Sequence, residues 1–528
     1  MPEDQPPAQP SEDHADWSWS HPDGSEPPVQ GRRALPRGED FRRTVGFTVL
    51  GTVVPGVGLI AAGRKVVGSV VLAVFVLTLA AIGIAAAVDR DALISVGVDP
   101  TSLRRLAVVL AVVAALWVVV VVATHLSLRH RPTRPQRIIG GVLVGVLAFA
   151  VAAPMAVAAR TAYVQAGLVG TLFKSSDQTK SATRPTLAPS HPGDKEQQQD
   201  PWADKPRLNV LLLGGDDGKG RVGTRTDSVI LASIDTKTGD TTLFSLPRNT
   251  ARMPFPPDSP LKKYYPNGFT DGNGENAEFF LNAMYRDVPA TVPKNVLGDT
   301  DNLGADVMKL SVGQALGLKV DYYVLINLQG FSTMIDALGG IRLNVNTYIP
   351  IGGNTDLHIP PKGFIKPGPN QKLDGRSALW YARGRYGSDD FARMDRQRCV
   401  INAMIKQANP ANVLTRYEDV ANASKSLVKT DLPQEVLPAL VDLSLRVKDG
   451  NVRSVVFKNG VSGFTSANPD FSTMRSRVKK AIGEAKDDGT PKKTTSSGGS
   501  GKAPTSEDVD SSCKYDPKIA ATAKPYTG

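Results

Sequence analysis

Apolar and polar positions divide the chain into two unlike parts. Four apolar blocks, at 45–62, 66–88, 106–124 and 138–159, follow one another before Arg160. Each has about the length of a membrane-spanning helix, and several in succession do not fit a signal peptide, which has one short apolar block and a cleavage site. The pattern predicts a polytopic anchor. Farther along, short apolar runs alternate with polar turns. Residues 209–213 read as a buried strand. Residues 228–234 and 241–246, rich in Val, Ile, Leu, Thr and Phe, flank the turn-forming run DTKTGD and read as an antiparallel hairpin. Symmetric pairing about Lys237 and Thr238 sets Asp227 opposite Arg248 and Arg225 opposite Thr250. Charged residues then gather at one end of the hairpin, either as a solvated surface pair or as part of a site.

After a Pro- and Gly-rich region reaching about residue 302, the pattern predicts a helix near 306–315, a strand at 322–328, a helix at 331–337 stopped by Gly339 and Gly340, and a strand at 341–345. The run WYARGR, 380–385, reads as extended, and a period of two places Arg383 and Arg385 on one face. Residues 391–407 read as a helix packed through Val400, Ile401, Met404 and Ile405, with Arg393, Arg396 and Gln397 sharing a face at spacings of three and four. The fold class expected is α/β, a mixed sheet with helices around it, over residues 205–484. The flanks differ. Residues 1–43 are acidic and Pro-rich and too poor in apolar content to bury a core, 161–204 reads as a flexible linker, and 485–528 as a low-complexity tail.

The densest basic loop, Arg129, Arg131, Arg134 and Arg137 with His130, belongs in the cytoplasm. The last apolar block then delivers the α/β domain to the outside, so the protein is expected in the cell membrane as a multi-pass chain with its C-terminal domain extracytoplasmic. Block 45–62 is broken by Pro55 and Gly56 and flanked on both sides by basic residues, so it is expected to dip in and return. That leaves three spans, in the region 44–160, and puts Arg104 and Arg105 outside, against the positive-inside trend. The chain has two cysteines, Cys399 and Cys513, both in the exported part, where disulfides persist. A bond between them is expected, closing a loop of roughly a hundred residues. The formal net charge of +11 suits acidic membrane lipid or a phosphate-bearing ligand. Nothing in the spacing of Cys, His or aromatic residues supports nucleic acid.

The run LLLGGDDGKGRV has glycines at Walker spacing, but Arg221 and Val222 stand where a phosphate loop needs Lys and then Ser or Thr. Asp216 sits at the carboxyl end of a buried strand, where open α/β sheets tend to place ligands, or it serves as a turn residue bonded to its own backbone. The run 376–398 is dense in Arg, with Asp389, Asp390 and Asp395 as its only acids. Arginine forks bind phosphate oxygens in pairs and stay charged at any physiological pH. A Ser-His-Asp hydrolase would depend on His358, since the other exported histidine, His191, lies in the linker; no nucleophile elbow is present, and no His-rich zinc site. Carboxylates and arginines remain, which suit a hard cation and a polyanion.

The order NVLLLGGDD, RTDS, SLPRNT, DYYVLINLQGFSTMIDALGGI, LDGRSALWYARGR and DFARMDRQR resembles the LytR-CpsA-Psr family of cell-wall ligases, over about 208–480. The resemblance implies an extracytoplasmic α/β domain that moves a glycopolymer from a polyprenyl-pyrophosphate carrier to a peptidoglycan acceptor, with a hydrophobic groove for the lipid. It implies Mg²⁺ (or Mn²⁺) on Asp216 and Asp227. Arg225, Arg248, Arg383, Arg385, Arg393 and Arg396 match the pyrophosphate-facing arginines, with Gln397 beside them. Asp227, Arg248, Arg385 and Asp390 are the candidate catalytic residues, with Asp227 or Asp390 taking the acceptor's proton. Asn249 departs from the family, which often has Asp there. A pyrophosphatase releasing the glycan to water, and a non-catalytic regulator binding the lipid intermediate, fit the same residues.

Overall fold

The structure, a computed structural model, describes residues 37–88, 96–129, 132–185, 202, 205–216, 223–355, 357–407, 428–487 and 506–526. The expected disorder of residues 1–36 falls outside these residues, as do the expectations for 186–201 in the linker and 488–505 in the C-terminal tail. By its contacts the chain divides into two units, Met1–Leu72 with Val120–Leu147, and Ala73–Val119 with Ala148–Gly528.

In the first unit, α1 (Arg37–Val53) ends at Pro55 and Gly56, and the short α2 (Val57–Ala61) follows. The broken block at 45–62 is thus a helix, a turn and a helix, and the last residues of the expected disordered tail belong to α1. Gly58 lies against Thr124, where an added Cβ would meet the Thr124 methyl at 2.3 Å. Thr48 Oγ1 lies 3.2 Å from His125 Nδ1. Among the described residues three helices are long and apolar enough to cross a membrane: α3 (Lys65–Val88), α4 (Pro100–Leu128) and α5 (Arg134–Leu172).

The second unit contains a seven-stranded sheet in the order β11-β10-β3-β2-β1-β4-β9. These strands are β1 (Arg207–Gly215), β2 (Thr226–Asp235), β3 (Thr241–Leu246), β4 (Tyr322–Asn327), β9 (Val428–Thr430), β10 (Val452–Val456) and β11 (Glu507–Asp508). The hairpin β2–β3 has the expected register, with Val229 opposite Leu246 and Ile234 opposite Thr241. Asp235 Oδ1 accepts from the amides of Lys237 and Thr238 and so shapes its turn. Strand alternation sends Leu211, Leu213, Leu231 and Phe244 to one face, where they pack on α6 (Leu281–Thr291), α7 (Leu303–Leu316) and α12 (Phe471–Asp487). The other face carries α10 (Asp390–Gln407) and α11 (Leu437–Asp449), which meet Ile230, Val210 and their neighbours. Helices α8 (Leu328–Ala337) and α9 (Gly375–Arg383) form a second core with α10 and with β5 (Ile341–Val345), which pairs with β8 (Gly368–Leu373). Strands β6 (Ile349–Ile351) and β7 (Gly363–Ile365) pair beside them.

Four expectations are corrected. The irregular region before 302 contains α6, whose Leu281, Ala283, Met284 and Val288 are fully buried. The run WYARGR is not extended: Asp374 caps α9 by accepting from Ser377 N at 2.7 Å, and the helix continues to Arg383. The linker is partly built into the domain, since Ser181, Ala182 and Thr183 all donate to Asp306 and Gln434 N donates to Lys174 O. The last part of the tail is structured, with β11 paired to β10, α13 (Val509–Ser512) and α14 (Pro517–Thr522). The disulfide Cys399–Cys513 is present and ties α10 to this tail across 114 residues of sequence.

Candidate active site

The carboxyl ends of β1 and β4, the start of β2 and the end of β3 converge on one edge of the sheet, because β1 and β4 are parallel while β2 reverses between its neighbours. Asp227 opens β2 and Arg248 follows β3, and Arg248 Nη1 donates to Asp227 Oδ1 at 2.7 Å. Arg225 and Thr250, expected to face each other, do not. Ladder pairing stops at Val229 and Leu246, and beyond Pro247, which has no N–H, Thr250 N turns back to donate to Pro247 O.

Helix α10 brings in Asp390 and Arg393. Arg393, with 4% of its side chain exposed, bonds Asp390 Oδ2 and the Asp227 carbonyl, both at 3.0 Å. Asp390 Oδ1 lies 3.5 Å from both Arg248 Nε and Arg385 Nη1, yet it is buried without a hydrogen bond among the described residues. Two carboxylates thus face three guanidinium groups. Burial alone would raise the Asp227 carboxyl, but Arg248 foremost, then Arg393 and Arg385, holds it below the usual range. Burial pushes the Arg393 guanidinium down to about 10, against the pull of Asp390. Arg248 is raised despite burial, by Asp227 and then Asp390 and Asp216.

The other candidates separate. Arg383 stacks on Trp380, 5.1 Å from the ring centre, and lines the cavity described below together with Arg385, Arg393 and Gln397. Arg225 turns to Glu278 at 2.5 Å, and Glu278 also holds Arg286, a pair no local pattern in the sequence marks. Arg396, expected to face pyrophosphate, instead donates to the carbonyls of Tyr381 at 2.8 Å and of Gly384. It occupies acceptors left over at the end of α9. Gln397 adds a bond to Ala382 O. Asn249 bonds Ser466 Oγ at 3.2 Å. Asp216 closes a loop, its amide donating to Arg225 O and its Oδ1 accepting from Arg225 N, each at 3.0 Å.

Among the described residues no group of three or more His, Cys, Asp or Glu is placed to hold a metal. Mg²⁺ needs less, one or two carboxylates with phosphate oxygens completing the shell. The hard oxygen donors of Asp216 and Asp227 and the unbonded Asp390 Oδ1 fit that mode.

Behind the cluster, between the sheet and helices α8 to α10, lies a cavity of about 350 Å³. Its walls are Leu212, Ile230, Val324, Phe331, Met334 and Ile401, together with Asp227, Arg385 and Arg393. An apolar cavity with arginines in its wall suits an anion carried on an apolar chain. The profile of the LytR_cpsA_psr family matches residues 171–459, and the chain belongs to that family. Biofilm regulatory protein A of Streptococcus mutans is 27% identical over 314 residues, 57% of this chain and 70% of that protein. A polyisoprenyl-teichoic acid–peptidoglycan teichoic acid transferase TagU from Bacillus cereus is 30% identical over 230 residues, 43% of this chain and 61% of that protein. The crystal structure of B. subtilis TagV is similar over 54% of this chain and 99% of its own, at 24% identity and a TM-score of 0.37.

Proposed function

We propose that this protein is a membrane-anchored phosphotransferase that moves a glycopolymer from a polyprenyl-pyrophosphate carrier to peptidoglycan during cell-wall biogenesis. The observation that carries the reading is the cavity lined by apolar side chains together with Arg385, Arg393 and Asp227. A polyprenyl chain suits the former and its pyrophosphate the latter. The names of the TagU relatives support the same substrate class. The three apolar helices would hold the chain in the membrane as a multi-pass anchor, with the basic loop at 129–137 on the cytoplasmic side.

In this reading Arg248, Arg385 and Arg393 neutralise the pyrophosphate, their forks fixing it more tightly than point charges could. An acceptor hydroxyl attacks the phosphorus nearest the glycan. A new oxygen–phosphorus bond forms, the bridge between the two phosphorus atoms breaks, and polyprenyl phosphate leaves with the bonding pair. Asp227 is held low by Arg248 and is a weak base, whereas Asp390, whose Oδ1 makes no hydrogen bond among the described residues, is placed to take the hydroxyl proton. Asp216 and Asp227 would hold Mg²⁺, which supplies Lewis-acid stabilisation of phosphate charge when bound.

Incubating the full chain in detergent with a synthetic polyprenyl-pyrophosphate glycan, Mg²⁺ and peptidoglycan fragments, then locating the phosphate by mass spectrometry, tests this. The expected product is a glycan–phosphate–peptidoglycan diester, absent when a chelator replaces the metal. Glycan phosphate released to water with acceptor present would favour a hydrolase. Lipid bound but uncleaved would favour a regulator.

A further inference from the structure

We propose that Tyr526 is a positioning residue for Arg385, delivered to the site by a disulfide-anchored C-terminal strap; this rests on the role proposed above for Arg385. The Arg385 side chain is 44% exposed, and its ion pair with Asp390 spans 3.5 Å. Contacts so loose do not set where the guanidinium points, so the backbone of its loop must. That loop turns tightly after α9: Ser388 N donates to Arg385 O at 2.8 Å and Gly387 N to Thr355 Oγ1 at 3.3 Å. Gly387 has φ +70°, a conformation glycine adopts without strain.

The Tyr526 ring closes the outer side of the turn. It meets the buried Tyr386 edge-on, with centroids 5.4 Å apart. A Cβ on Gly387 would come within 2.3 Å of Tyr526 Cγ, so the ring lies directly on the glycine backbone. A ring on a free chain end would confer little order, but this one ends an anchored segment. Glu507 pairs with Arg398 at 3.0 Å and Asp510 accepts from Asn402 at 2.6 Å. Cys513 is bonded to Cys399. Asn344 donates to Cys513 O, and Asn346 exchanges two bonds with Lys514 O and Asp516 N. Helix α10, which carries Asp390 and Arg393, and the loop that carries Arg385 are therefore held by one strap.

Two readouts on the detergent-solubilised full chain test the clamp. Hydrogen exchange at the Gly387 and Ser388 amides should accelerate by about tenfold or more in Tyr526→Ala, as local opening becomes cheaper. Transfer kinetics should show kcat reduced by about ten- to a hundredfold with KM within about twofold, as expected when a transition-state donor is misplaced. Tyr526→Phe should restore both, because the contact is made by the ring and not by the hydroxyl. Unchanged exchange in Tyr526→Ala, or unchanged kcat, would overturn the proposal. A wild-type chain that transfers nothing would sink the proposed reaction instead, and the exchange measurement would still decide the clamp.

Discussion

Two clusters of charge in the same domain follow opposite rules. Around Lys309 the partners are close and the charges buried: Lys309 and Asp431 have 1% and 5% of their side chains exposed and meet at 2.6 Å. Asp431 Oδ1 accepts from Tyr323 N, and Asp306 beside them accepts from Thr300 Oγ1, Ser181 Oγ and Ala182 N. Around Arg248 the distances spread from 2.7 to 3.5 Å, and Asp390 Oδ1 lacks a hydrogen bond among the described residues. A fully satisfied buried pair holds structure in place, and removing one member strands the other charge. A half-open cluster whose charged groups are incompletely paired is the kind of arrangement met at functional sites.

The contrast breaks most sharply at Asp431. Asp431→Ala leaves the Lys309 ammonium buried and unpaired, and should lower unfolding free energy by about 3–5 kcal/mol, read as a shift in denaturant midpoint. A midpoint at the wild-type value would show that the buried cluster is dispensable. Arg248→Lys should act the other way round. Charge is kept and the fork is lost, so transfer should fall by about 10² to 10³ while the midpoint moves little. Should stability fall and transfer survive, the two clusters would not differ in kind.

The smallest effect concerns pH. Asp227 is held below its ordinary value in the folded state, so its contribution to stability is fully present above about pH 4, the unfolded value. It is lost as pH falls through the depressed folded value. Denaturant midpoints of wild type and Asp227→Asn should differ at pH 7 and converge as the solution is acidified below about pH 4. A gap that stays constant down to pH 2 would mean that the Arg248 contact does not stabilise the ionised carboxylate.

What could be read from the chain was whatever depends on near neighbours. The turn DTKTGD, with Asp235 bonding the next amides, fixed the register of β2 and β3, and that register brought Asp227 to Arg248. The long apolar blocks dictated helices, and spacings of three and four dictated α10. The pairing of the only two cysteines followed from their number and their place in the exported part. Tertiary structure decided the rest. Trp380 to Arg383 joined a helix because Ala378 and Tyr381 found a core against Ile335 and Val400; the Asp374 cap was the one local signal of it. Helical spacing gave Arg393 and Arg396 a common face, but only the approach of α9 sent one to Asp227 and the other to backbone carbonyls. The polar segments at 174–185 and 506–526 bury too little to fold alone. They are ordered because Asp306 and Asp431 wait for one, and because the open edge of β10, Cys399 and the Arg385 loop receive the other.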